Sequence, residues 1–103
     1  KVTRLCDFIA QSYKNKELPP TPKNADEKEF FNLRGIVFLE DDWEKVMFDT
    51  FLRVLEFKDS FYLNYDLAKE YLKEYELEIK EHYEILKTML NALNKEVLKG
   101  SAK

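Results

Sequence analysis

The sequence predicts an all-α fold: a small helical bundle of about four main helices with a long C-terminal helix. Three observations carry this reading. No glycine or proline occurs between Gly35 and Gly100, so that span lacks the residues that usually interrupt a helix. Apolar residues recur there at three- and four-residue spacing, the period of a helix face. Asn24 and Asp41 each precede an acidic, then apolar, stretch, as N-caps do.

The first helix follows from Val2, Leu5, Cys6, Ile9 and Tyr13, which share one face. Leu18-Pro19-Pro20-Thr21-Pro22 ends it as a short rigid connector, because proline blocks helix propagation and biases its predecessor to extended backbone. Asn24 caps a second helix whose Asp26, Glu27 and Glu29 suit the positive N-terminal end. Phe30, Phe31 and Leu33 are expected to face inward. Gly35 is placed to stop this helix in the left-handed conformation, with Ile36 packing back on Phe31. Ile36-Val37-Phe38-Leu39 reads as a buried linker, since no partner strand is evident.

Asp41 and Glu44 have capping-box spacing at the start of a third helix, expected over 42–58. Trp43, Val46, Met47, Phe48, Phe51, Leu52, Val54, Leu55 and Phe57 make it apolar on nearly every side, which places it at the centre. Lys58-Asp59-Ser60 interrupts it, and Ser60 or Asn64 caps the fourth helix. That helix is expected to run unbroken from Asn64 to Lys99, with Leu72, Tyr75, Ile79, His82, Leu86, Met89 and Leu93 inward. About 36 residues at 1.5 Å each make a rod of about 54 Å, longer than the roughly 34 Å across a compact domain of this size.

The chain of 103 residues is of single-domain length. A start at Lys1 rather than methionine is what a domain excised from a longer protein would show. The net charge of −3 divides unevenly: +3 over residues 1–24, −4 over 25–58 and −2 over 59–103. This lacks the basic footprint of a general nucleic-acid binder. One cysteine permits no internal disulfide, and no apolar run is long enough to span a bilayer, so an intracellular, cytoplasmic protein without membrane contact is expected.

No residue set points to catalysis, a metal or a cofactor. His82 is the only histidine, on an apolar stripe and without the Glu-x-x-His partner of a carboxylate di-metal bundle. Cys6 sits on an apolar face and behaves as a small hydrophobe. Glu40, Asp41, Asp42, Glu44 and Asp49 lack the glycine and alternating ligands of a calcium loop, and capping accounts for two of them. Asp66-Leu67-Ala68-Lys69-Glu70 could open a helix-turn-helix, but no turn follows. Walker, GxGxxG, CxxC and RNP patterns are absent from the sequence.

Two binding expectations remain. The first is a non-enzymatic interaction or oligomerisation module, in which Leu86, Met89, Leu90, Leu93 and Val97 of a protruding C-terminal helix meet a protein partner or a second copy. The alternative is an accessory domain of a replication or regulatory protein. It would hold a nucleotide or single-stranded nucleic acid through Arg34, Arg53, Lys58, Tyr62, Tyr65 and Lys69, with aromatics stacking bases and cations meeting phosphates.

Overall fold

Three residues with left-handed backbone decide where three of the helices end. Lys16, Gly35 and Glu76 have φ of 60°, 70° and 59°. Each closes a helix by the same pair of bonds, in which the left-handed N–H and the next N–H return to carbonyls three and five residues back. The pairs are Lys16 to Tyr13 with Glu17 to Ser12, Gly35 to Asn32 with Ile36 to Phe31, and Glu76 to Lys73 with Leu77 to Leu72. The sequence signals only the second, because only there does glycine occupy the left-handed position.

The computed structural model describes residues 2–18 and 21–101. It is mostly helical: α1 Val2–Asn15, α2 Ala25–Leu33, α3 Asp42–Val54, strands β1 Leu55–Phe57 and β2 Phe61–Leu63, then α4 Tyr65–Glu74 and α5 Ile79–Ser101. Pro19 and Pro20 of the expected connector lie outside the described residues. The unbroken helix over 64–99 is corrected: the chain reverses at Tyr75–Glu78. Tyr75, expected inward, is exposed. The remaining α5 has 23 residues, about 34 Å at 1.5 Å per residue. That length fits within the molecule's 41 × 40 × 17 Å, so the overhang disappears.

The third helix is also shorter than expected. It stops at Val54, and Leu55–Phe57 pairs antiparallel with Phe61–Leu63 in the register Leu55 to Leu63, Glu56 to Tyr62 and Phe57 to Phe61. Lys58-Asp59-Ser60 is the hairpin loop, closed by Lys58 N–H donating to the Ser60 carbonyl at 3.2 Å. Alternation sets the faces: Leu55 and Leu63 pack on the core, whereas Glu56 and Tyr62 are exposed. Asn64 then caps α4, its side chain accepting from Leu67 N–H at 3.1 Å.

The long helices are largely codirectional. Arg4 meets Glu44 and Phe8 stacks on Phe48, so α1 and α3 advance together. Cys6 lies against Thr88, and Ser12 and Tyr13 share a depression with Glu96 and Val97, so α5 runs the same way. The α2 segment and the hairpin with α4 are the return paths. One core joins them, with Leu5 and Ile9 from α1, Met47, Phe51 and Val54 from α3, Ala68 and Leu72 from α4, and Leu86, Met89 and Leu93 from α5.

The capping box at α3 is formed. Asp41 accepts from Glu44 N–H at 2.9 Å, and the Glu44 carboxylate accepts from the N–H groups of Glu40 and Asp41 at 2.9 and 3.3 Å. Segment 36–40 is extended and half-buried, with no strand partner. The Gln11 side chain pins it, donating to the Gly35 carbonyl at 2.8 Å and accepting from Val37 N–H at 3.0 Å. Phe31 is buried, as expected, and packs on Phe38, but Phe30 and Leu33 face solvent, because α2 meets the body through Phe31 alone among its apolar side chains.

A left-handed side chain costs about 1–2 kcal/mol in Cβ crowding, against about 0.5–1 kcal/mol of extra backbone entropy for glycine. Glu76→Gly should therefore raise stability by roughly 0.5–1 kcal/mol in urea unfolding, and Glu76→Val should lower it. An unchanged or lower midpoint for the glycine variant would contradict the reversal at residue 76.

Candidate interaction surfaces

The α5 stripe expected to meet a partner is used inside the molecule. Leu86 and Met89 are fully buried and Leu93 nearly so, while Leu90 and Val97 pack at the edge of the same cluster. Because α1 lies alongside α5, it covers the face that the long-rod picture leaves open.

The cationic and aromatic residues of the alternative reading are only partly brought together. Lys69 sits over Tyr65 at 5.2 Å, Tyr65 meets Tyr83 edge-on at 4.8 Å, and Lys87 lies 5.9 Å from the Tyr83 ring. Tyr83 and Lys87 are additions that sequence spacing could not supply, since they come from α5. Arg53 points elsewhere: it bonds Asp49 at 2.8 Å and lies over Tyr71. Its side chain is held charged first by the bond to Asp49 and then by Tyr71. Lys69 and Tyr71, two residues apart, face opposite sides of α4. Tyr62 is turned to Glu56, whose hydrogen bond pushes the phenol up. Lys58 stands in the hairpin loop, and Arg34 stacks on Phe30 at 5.0 Å at the end of α2.

The residues considered for chemistry have structural partners. Trp43 Nε1–H donates to His82 Nε2 at 3.4 Å, and His82 Nδ1 is 2.7 Å from the Glu78 carbonyl. This ties the α4–α5 turn to the start of α3. Half-buried Cys6 donates to the Thr88 carbonyl at 3.8 Å, and burial, then Asp7, pushes its thiol up. Among the described residues no cluster of three or more His, Cys, Asp or Glu is placed to hold a metal, and no helix is long and apolar enough to cross a membrane.

Three surface features stand out. Along α2, Phe30 is 50% exposed and Leu33 81% exposed. An apolar groove of about 310 Å³ runs between the ends of α1 and α3, floored by Phe51 and Leu93 and walled by Leu52, Leu55 and Phe61. A cleft of about 570 Å³ lies between α1, α2 and segment 35–40, but Arg4, Lys28 and Glu40 on its walls are engaged with one another. There Glu40 bonds Arg4 at 2.7 Å and Lys28 at 3.7 Å, and Arg4 also reaches the buried Glu44 at 3.5 Å. No family model, no curated protein and no solved structure matches the chain.

The Arg4 hydrogen bond holds the Glu40 carboxyl below its ordinary 4.5, with the Arg4 and Lys28 charges acting in the same direction. The folded value is below the unfolded one, so the stabilisation is complete above pH 4.5 and is lost as pH falls through the lower folded value. Arg4→Gln should lower the thermal midpoint most at neutral pH, with the gap to wild type closing in acid. A gap of constant size would assign Arg4 to packing alone.

Proposed function

We propose that the chain is a non-enzymatic interaction module that associates with a second copy of itself through α2. The observation that carries this is the outward apolar face of α2, where Phe30 and Leu33 stand exposed on a helix anchored through Phe31. The interaction role expected of the α5 stripe passes to α2, because α1 covers the stripe.

A second copy fits by charge. Asp26, Phe30 and Leu33 or Arg34 follow one another at helical spacing on one side of α2. An antiparallel pair of α2 helices across a two-fold axis puts the Arg34 of one copy beside the Asp26 of the other, with Phe30 and Leu33 between them. Such a patch is self-complementary, as an isologous contact requires. One face of a nine-residue helix buries less than the ~1,200 Å² of stable interfaces, so the association is weak and concentration-dependent.

Sedimentation velocity over a concentration series should show this dimer. Leu33→Glu should weaken it about tenfold or more. Asp26→Arg should weaken it too, and Asp26→Arg with Arg34→Asp should restore it. A strict monomer at millimolar concentration would overturn the reading, as would a dimer indifferent to Leu33.

The nucleic-acid reading keeps one supporting observation, the Lys69–Tyr65–Tyr83–Lys87 run across α4 and α5. Titration with a short single-stranded oligonucleotide should then shift the amides of residues 65–69 and 83–87 together, and weaken as salt is raised. Absence of shifts there at millimolar oligonucleotide would end it.

A further inference from the structure

We propose that the β-hairpin pairs with the hairpin of a second copy, edge to edge along β1, in an antiparallel register centred on Phe57. This contact is separate from the α2 face and does not rest on it. The hydrogen bonds of the hairpin fix which backbone groups remain for a neighbour. Asn64 N–H donates to the Val54 carbonyl and Lys58 N–H to the Ser60 carbonyl. With Glu56 opposite Tyr62, the bonded positions of the ladder are 54 with 64, 56 with 62 and 58 with 60, since antiparallel ladders alternate bonded and non-bonded pairs. The N–H and C=O groups of Leu55 and Phe57 therefore point away from β2. Leu55 N–H is taken by the Phe51 carbonyl as α3 ends. That leaves the Leu55 carbonyl and both groups of Phe57 on the outer edge. Residues 56–60 are exposed at every position, so this edge lies at the surface.

The charges select the occupant and the register. With Phe57 opposite Phe57 of the second copy, the two exchange N–H to C=O bonds in both directions. Glu56 of each copy then stands across from Lys58 of the other, and opposite charges paired across strands stabilise a sheet. Asp59, the remaining charge of the loop, stands across from Leu55. The neighbouring register, with Leu55 opposite Phe57, would set Glu56 against Glu56 and would require the Leu55 N–H that is already bonded. By alternation Glu56 and Lys58 share one face, where Tyr62 is turned to Glu56. The other face carries rings. Phe57 is 65% exposed and meets Phe61 edge-on at 5.0 Å. Pairing across a two-fold axis brings Phe61 and Phe57 into one row with the same two rings of the second copy. Sheets use short, charged edges to avoid indiscriminate pairing. Here the alternation of Glu56 and Lys58 opposes a like-charged strand and fits its own reversed copy. A strand of three residues buries less than the ~1,200 Å² of stable interfaces, so this contact too is weak.

The test uses the full chain carrying Leu33→Glu, which removes the α2 contact. Sedimentation velocity should still show a concentration-dependent dimer, and the Phe57 amide should exchange with deuterium more slowly as concentration rises. Glu56→Lys and Lys58→Glu should each weaken that dimer about fivefold, the scale of a few exposed ion pairs. The two substitutions together should restore it. Both positions are exposed, so the helical signal should not change. A strict monomer of the Leu33→Glu chain at millimolar concentration would overturn the proposal without touching the α2 reading, which is tested on the wild-type chain. A double swap that fails to restore the dimer would also overturn it, as would Phe57 protection that needs an added extended peptide of unrelated sequence.

Discussion

The reversal at Tyr75–Glu78 is the constraint on which the rest of the molecule depends. Without it α4 and α5 would form one rod, and the apolar stripe of the second half could not return to the body. The left-handed Glu76 directs two N–H groups back to Lys73 and Leu72, and Leu77 then lands on the core beside Leu72. Conformational cost at one residue is offset by burial of Leu86, Met89 and Leu93, each side chain worth about 1.5–3 kcal/mol when removed from water. His82 secures the same corner from the other side, bridging the Glu78 carbonyl to Trp43 on α3.

Once α5 is folded back, α1 takes up most of its apolar face, with α4 and β2 beside it, and the apolar surface left exposed changes character. It is no longer one long stripe. It lies in separate pieces, among them Phe30 and Leu33 on α2, Phe57 on the hairpin, Leu98 on α5, and a groove where α1 and α3 end, the groove existing only because the hairpin turns there. An unbroken third helix through residue 58 would have carried Leu55 past this point, and Phe61 would not form a wall.

The start signals were legible because they rest on side-chain chemistry with fixed spacing: Asn24 and Asp41 with Glu44 cap as their patterns imply, and of the two candidates Ser60 and Asn64 it is Asn64 that caps α4. The stop at Gly35 was legible for the same reason. Glu76 and Lys16 were not, since neither residue type signals a left-handed backbone. The remaining clue at residue 76 was weak, an apolar pair five residues apart, Leu72 and Leu77, which repeats the Phe31–Ile36 spacing. The hairpin was hidden because Leu55 and Phe57 also satisfy a helical period, leaving Lys58-Asp59-Ser60 as its only marker. Periodicity correctly grouped Leu86, Met89 and Leu93 on one face, but it reports that a face is buried and not what covers it. The groove and the Tyr65–Tyr83 contact join residues distant in the chain, and no local pattern encodes such pairings.

The shared direction of α1, α3 and α5 has an electrical consequence. In an up-and-down bundle neighbouring helix dipoles cancel; here three of them add. The side chains answer in kind. Carboxylates gather where α3 and α5 begin, at Asp41, Asp42, Glu44, Glu78 and Glu81, and ammonium groups gather where α1 and α5 finish, at Lys14, Lys16, Lys95 and Lys99. Whole charges at the poles outweigh the half-charges of the helix termini. Charges of the other sign stand at both ends, Arg4, Lys45 and Lys80 at the first and Glu17, Glu56, Asp59 and Glu96 at the second, so a chain of net charge −3 keeps its excess acid at the end where α3 and α5 begin. A charged surface approaching it would turn the molecule before touching it, and the sign of that surface would decide which end arrives first.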